Sequence, residues 1–212
     1  MEWTEHTWYI LSAAYSPNGA CIVTGSRDTT IWIWDVESGA TVGEPLTGHN
    51  QAVYYVAYSP NGQQIISGSS DCTIWIWDAE TGALVSNPLK GHTGLVQSIV
   101  YSPDGQHIIS GSSNCTIWIW DAETSTLVGN PLKGHTHSVM SVAYSPDGQH
   151  IISGSTDCTI WIWDAKTGTP VSDPLKGTLA WYSPLPTLPM GNTSFPDPLT
   201  TPFESGMLRP AL

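Results

Sequence analysis

Positive charge is scarce in this chain. Six Lys plus Arg stand against eighteen Asp plus Glu, and the net charge is -12. The six lie singly, so there is no basic stripe to neutralise phosphates, and nucleic acid is not expected as a partner. No apolar run approaches the length of a membrane span, so no membrane partner is expected either. The opening Met-Glu-Trp-Thr-Glu-His is acidic. It lacks the basic segment and apolar stretch of a secretory signal. An intracellular, cytoplasmic protein is expected, with the nucleus as the alternative. Cysteine is sparse, with four residues and no CxxC or HxxxH spacing. No metal and no other cofactor is expected.

Repetition is what the chain has in quantity. Trp-Ile-Trp-Asp ends at Asp35, Asp78, Asp121 and Asp164, at intervals of 43 residues. A His lies 29 residues before each of these Asp residues: His6, His49, His92 and His135. Gly precedes three of them, at Gly48, Gly91 and Gly134. A 40–45-residue repeat closing on Trp-Asp has the length of one four-stranded propeller blade, and a single such unit cannot bury its own faces. Cys72, Cys115 and Cys158 share one repeat position. Equivalent positions in adjacent blades stand on the order of 10 Å or more apart, given strand spacings of about 4.8 Å. That exceeds disulfide reach, so free thiols in a reducing compartment are expected.

One repeat shows the expected strands. Val53 to Tyr58 reads as the first. Ser59-Pro60-Asn61-Gly62 is a tight turn, in which Pro presets φ and Gly takes the left-handed position. Gln64 to Ser69 is the second strand, and Thr73 to Trp77, β-branched and aromatic, is the third. Ala83 to Leu89 is the fourth. It holds Pro88, which recurs as Pro45, Pro131 and Pro174 and suits an edge strand. After Gly177 the register breaks. Ala180-Trp181-Tyr182-Ser183-Pro184 arrives early for a fifth repeat, and the last 36 residues hold seven Pro.

The chain resembles the WD40 repeat family over about residues 3–176, on the joint Gly-His and Trp-Asp marks. Near-identical repeats also look like the WD40 arrays attached to fungal NACHT-type immune receptors. The resemblance implies an all-β fold: four four-stranded antiparallel WD40-type β-propeller blades in an incomplete ring. The expected domain is 1–176, with blades at about 1–47, 48–90, 91–133 and 134–176. Residues 177–212 are read as a Pro-rich tail, disordered or a degraded fifth repeat. Since WD40 rings usually close with seven blades, two end faces would stand open. Self-association, completion by another propeller fragment, or origin in a longer array would each account for that.

The resemblance also implies a buried hydrogen-bond network in each blade. The first would join His6, Thr24, Asp28 and Trp34, and the second His49, Ser67, Asp71 and Trp77. The third would join His92, Ser110, Asn114 and Trp120, and the fourth His135, Ser153, Asp157 and Trp163. Asn114 departs from Asp, which weakens the third. Glu5 departs from Gly before His6, which alters the entry to the first. Ser, His and Asp together invite comparison with a hydrolytic triad. No nucleophile elbow surrounds any Ser, and the arrangement recurs in every blade, so no catalytic residues and no enzyme activity are expected. Trp32, Trp75, Trp118 and Trp161 stand where WD40 repeats often carry a basic residue. Interblade packing is one reading of them, and an aromatic ladder for sugars or peptides the other.

The repeats differ from one another in two short stretches. The first follows each His: Thr7-Trp8-Tyr9, Asn50-Gln51-Ala52, Thr93-Gly94-Leu95 and Thr136-His137-Ser138, with Tyr54, Gln97 and Met140 just beyond. The second precedes the turn into the third strand: Arg27, Ser70, Ser113 and Thr156. In a WD40 propeller these positions share the top face, the usual docking surface. The expected function is a non-catalytic scaffold binding protein or peptide partners there, as the recognition part of a larger receptor-like protein. A carbohydrate-binding propeller using the Trp ladder, or a non-functional fragment, is the alternative.

Overall fold

A computed structural model of the chain describes residues 5–177. These residues form strands and turns, and among them no helix is long and apolar enough to cross a membrane. The expectation about the tail concerns residues 177–212, of which 178–212 lie outside the described residues.

The strands fall into four antiparallel sheets, each built from consecutive chain segments. Blade one holds β1 (Ile10–Tyr15), β2 (Cys21–Ser26) and β3 (Ile31–Asp35). Blade two holds β4 (Val53–Tyr58), β5 (Gln64–Ser69), β6 (Thr73–Asp78) and β7 (Leu89–Lys90). Blade three holds β8 (Val96–Tyr101), β9 (His107–Ser112), β10 (Thr116–Asp121) and β11 (Leu132–Lys133). Blade four holds β12 (Val139–Tyr144), β13 (His150–Ser155), β14 (Thr159–Asp164) and β15 (Leu175–Lys176). In blade one the outer segment is not a continuous strand. It touches β3 through two isolated bridges, Ile31 with Leu46 and Trp34 with Thr41.

The outer strand is shorter than Ala83–Leu89. Leu84 bridges Trp77 and the Val85 N–H donates to the Ile76 carbonyl at 2.9 Å. The chain then leaves the ladder through Ser86-Asn87-Pro88 and rejoins it only at Leu89. Pro88 has no N–H to give, so the ladder is interrupted at that residue. β11 and β15 likewise begin just after Pro131 and Pro174.

Each innermost strand carries a bulge at the same place. The pairing of β4 with β5 shifts between Val53 and Tyr55, which leaves Tyr54 unpaired. Leu11, Gln97 and Met140 occupy the same position in the other blades. A bulge re-aims one side chain away from the ladder.

The core lies between blades. Val23, Ile31, Ile33 and Leu46 of blade one close on Val53, Val56, Ile65 and Trp77 of blade two. The same positions, 43 residues on, join blade two to blade three and blade three to blade four. A fully buried Ile or Leu contributes about 1.5–3 kcal/mol, so these repeated contacts hold the sheets together. β1 packs on β4, β4 on β8 and β8 on β12. The outward faces of blades one and four leave Ile10 46% and Leu175 55% exposed.

Candidate functional site

The turn between the second and third strands of each blade folds back under the segment that enters the blade, and a four-part network forms there. In blade two His49 Nδ1 meets Asp71 Oδ2 at 2.8 Å, His49 Nε2 meets Ser67 Oγ at 2.8 Å, and Trp77 Nε1 donates to the same Oγ at 2.9 Å. Blade one repeats this with His6, Asp28, Thr24 and Trp34 at 2.8–2.9 Å, and blade four with His135, Asp157, Ser153 and Trp163. An indole N–H can only donate and a carboxylate can only accept. The hydroxyl therefore accepts from Trp and Nδ1–H donates to the Asp, and the same hydroxyl is bonded to Nε2. Every polar group in the chain of bonds is satisfied.

Burial raises the Asp71 carboxyl, but hydrogen bonds from His49 and Thr73 outweigh it and hold it at about 2. Asp28 also lies at about 2, where burial is opposed by Thr30, His6 and Thr7. Burial likewise raises Asp157, while Thr159, Thr136 and His135 hold it well below the usual carboxylate range.

Blade three differs. His92 Nε2 meets Ser110 Oγ at 2.8 Å, and Trp120 Nε1 donates to that Oγ at 2.9 Å. His92 Nδ1 is buried without a hydrogen-bond partner. Burial pushes this imidazole down to about 4, with Asn114 and Ser110 pulling weakly the other way.

Two residue sets extend the network beyond the residues that the resemblance implies. Thr30, Thr73 and Thr159 donate their hydroxyls to the Asp Oδ1 of their blades at 2.5–2.6 Å. Ser26, Ser69, Ser112 and Ser155 end the second strands and are buried; each donates to a carbonyl just after the His, at Tyr9, Gln51, Gly94 and His137. Both sets recur at 43-residue spacing, as most positions of the repeat do, so recurrence alone does not mark them as members of the network.

The glycine of Gly-His makes room for an aromatic ring. A Cβ on Gly48 would meet the Trp75 ring, and one on Gly91 the Trp118 ring; on Gly134 it would lie 3.0 Å from Trp161. In these blades the two Trp of Trp-Ile-Trp stack, with centroids 5.1–5.3 Å apart and planes 14–24° from parallel. In blade one, where Glu5 replaces Gly, Trp32 and Trp34 sit 6.1 Å apart and tilted by 40°. Trp75, Trp118 and Trp161 also pack on the interblade clusters.

The two variable stretches are held side by side. The N–H groups of Arg27, Ser70, Ser113 and Thr156 donate to the carbonyls of Tyr9, Ala52, Leu95 and Ser138 at 2.9–3.0 Å. Thr7, Trp8, Tyr9, Arg27, Asn50, Gln51, Thr93, Thr136, His137 and Met140 are exposed, while Tyr54, Ser70, Gly94, Leu95, Gln97, Ser113 and Thr156 are half-buried. The Arg27 guanidinium lies over the Trp8 ring, 5.0 Å from its centroid. Leu11, 39% exposed, belongs with Tyr54, Gln97 and Met140 at the bulge. Subtracting 43 from 54 would have located it. A cleft of about 530 Å³ opens at the opposite end of blades one and two, beside Ser16, Tyr58, Gln64 and Asp78.

Among the described residues no group of three or more His, Cys, Asp or Glu gathers as a metal site. The four cysteines are unpaired.

The model of the WD domain, G-beta repeat family matches residues 1–35, 40–78, 83–121 and 125–164. These segments span more than half of the chain. The chain belongs to the WD40 repeat family. No match is found among curated proteins. The blades of this WD40 chain carry the family's Trp-Asp pair at the end of each third strand. The Asp of that pair turns the chain outward. In blade two Asp78 Oδ1 accepts from the Thr81 N–H and hydroxyl at 2.8 and 2.7 Å, and Asp35, Asp121 and Asp164 do the same in theirs.

Proposed function

We propose that this WD40 chain is a non-catalytic scaffold that binds a protein or peptide partner on the face formed by the post-His segments and the turns into the third strands. One observation carries the reading. Blades that share one core and the same His–hydroxyl–Trp bonds differ in exposed side chains on that face, and the richest cluster, Trp8, Tyr9 and Arg27, has the chemistry of a binding anchor. The His–Ser–Asp groups recur in every blade with the histidines largely buried, which suits structure rather than turnover. The stacked Trp pairs present little free ring surface, which disfavours a sugar ladder. Unpaired cysteines suit a reducing, cytoplasmic setting. Such a face fits the recognition part of a larger receptor-like protein, and the open end faces fit self-association.

Peptide display against the purified chain, run beside a glycan array, tests this. Selected peptides should bind, and a variant with Trp8, Gln51, Leu95 and His137 all replaced by Ala should lose at least about tenfold in affinity with an unchanged melting curve. Glycan binding without peptide binding, or peptide binding that survives in the variant, would overturn it.

A further inference from the structure

The internal junctions of the chain show what covers its two open faces. At the first junction Val23, Ile31, Ile33 and Leu46 of blade one are 0–5% exposed, because Val53, Val56 and Ile65 of blade two lie on them. Blade four presents the first set again as Ile152, Ile160, Ile162 and Leu175. Here the three Ile are half-buried and Leu175 is 55% exposed. Blade one presents the second set as Ile10, Ala13 and Ile22, with Ile10 46% exposed and Ala13 exposed. The two open faces are therefore the two halves of a contact the chain already makes three times.

A polar contact points the same way. Ser12 Oγ accepts from the Val56 N–H across the first junction, and Ser98 Oγ accepts from the Val142 N–H across the third, both at 3.2 Å. Ser141 is next in that series, 43 residues after Ser98. Ala13 stands 43 residues before Val56, so its N–H holds the donor place in the same series.

We infer that a second copy of this chain docks blade one onto blade four, and that the second copy's blade four closes on the first copy's blade one. A two-fold axis makes both junctions alike. Eight blades result, within the four to eight that close a propeller. This inference deepens the self-association reading above and is independent of peptide binding. Each copy carries a net charge of -12, so the copies repel at long range and added salt strengthens the pairing.

Sedimentation of the full chain tests it. The wild type should run at twice 22.9 kDa at micromolar concentration and shift further toward the pair as salt is raised. Leu175→Asp and Ile10→Asp each disable one face at an exposed position. Each alone should run at 22.9 kDa with unchanged far-UV circular dichroism. Their mixture should regain a two-chain species, because one intact junction remains. Ala13→Asp repeats the Ile10 arm independently. The rim variant of Trp8, Gln51, Leu95 and His137 should keep the wild-type mass, so a failure of the peptide-binding reading is scored apart from a failure here. A wild type that stays at one chain across concentration and salt, growth beyond two chains, or folded end-face variants that associate like the wild type would overturn the inference.

Discussion

His92 and Asn114 face one another without a hydrogen bond at Nδ1. In the other blades the carboxylate divides its labour. Asp71 Oδ1 accepts from the Thr73 N–H and hydroxyl, while Oδ2 takes His49 Nδ1 and the Asn50 N–H. Asn114 keeps the first task, with Oδ1 accepting from Thr116 at 3.2 and 2.7 Å. Its other arm is an NH₂ group, which cannot accept, and it donates weakly to Thr93 Oγ1 at 3.4 Å.

Asn114→Asp should therefore stabilise the protein, by about 1–3 kcal/mol, the usual cost of a buried group left unsatisfied. Denaturant melts check this. His49→Ala should conversely cost more than His92→Ala, since His49 loses an Asp contact that His92 never made. Equal losses would mean that the Asp contact contributes nothing.

The pH dependence follows from the same pair. The His92 imidazole titrates at about 4 in the native state, against 6.5 in an unfolded chain. Between these values the unfolded chain binds more protons, so stability rises with pH from about 4 to about 6.5 and is complete above that. The Asp71 and Asp28 carboxyls, held at about 2 from 3.8, contribute stability present above 3.8 and lost as pH falls toward 2. Two acid steps are expected in melts run from pH 7 to pH 2. Asn114→Asp should weaken the upper step, because a carboxylate beside His92 favours its protonated form.

The family resemblance names the four side chains of each network, and the 43-residue repeat carries the assignment from blade to blade, because fixed internal distances return the same residues to the same strand positions. The Thr73 and Ser69 hydroxyls were harder to see. Ser and Thr are common beside turns, and nothing in their type separates a buried donor from a solvated one. Ala83 to Leu89 alternates like a full outer strand, but the missing N–H of Pro88 decides where the ladder can form. The bulge at Tyr54 leaves no mark in one repeat. It shows only as a position that varies between neighbours.

Gly48→Ala and Gly91→Ala should each destabilise by about 1–3 kcal/mol, as overpacking does, since the new methyl meets a Trp ring that is itself stacked. Glu5→Gly is the reverse experiment. It should let Trp32 settle onto Trp34 as Trp75 does on Trp77, read as a gain in near-UV circular dichroism from the stacked indoles. A spectrum unchanged by Glu5→Gly would show that something other than residue 5 tilts Trp32.

The most direct test of the binding account is hydrogen exchange on the full chain with and without a selected peptide. Added protection is expected at Thr7 to Tyr9, Asn50 to Ala52, Thr93 to Leu95 and Thr136 to Ser138, and none at the cleft beside Ser16, Tyr58 and Asp78. Protection confined to that cleft, with the post-His segments exchanging as in the free protein, would contradict it.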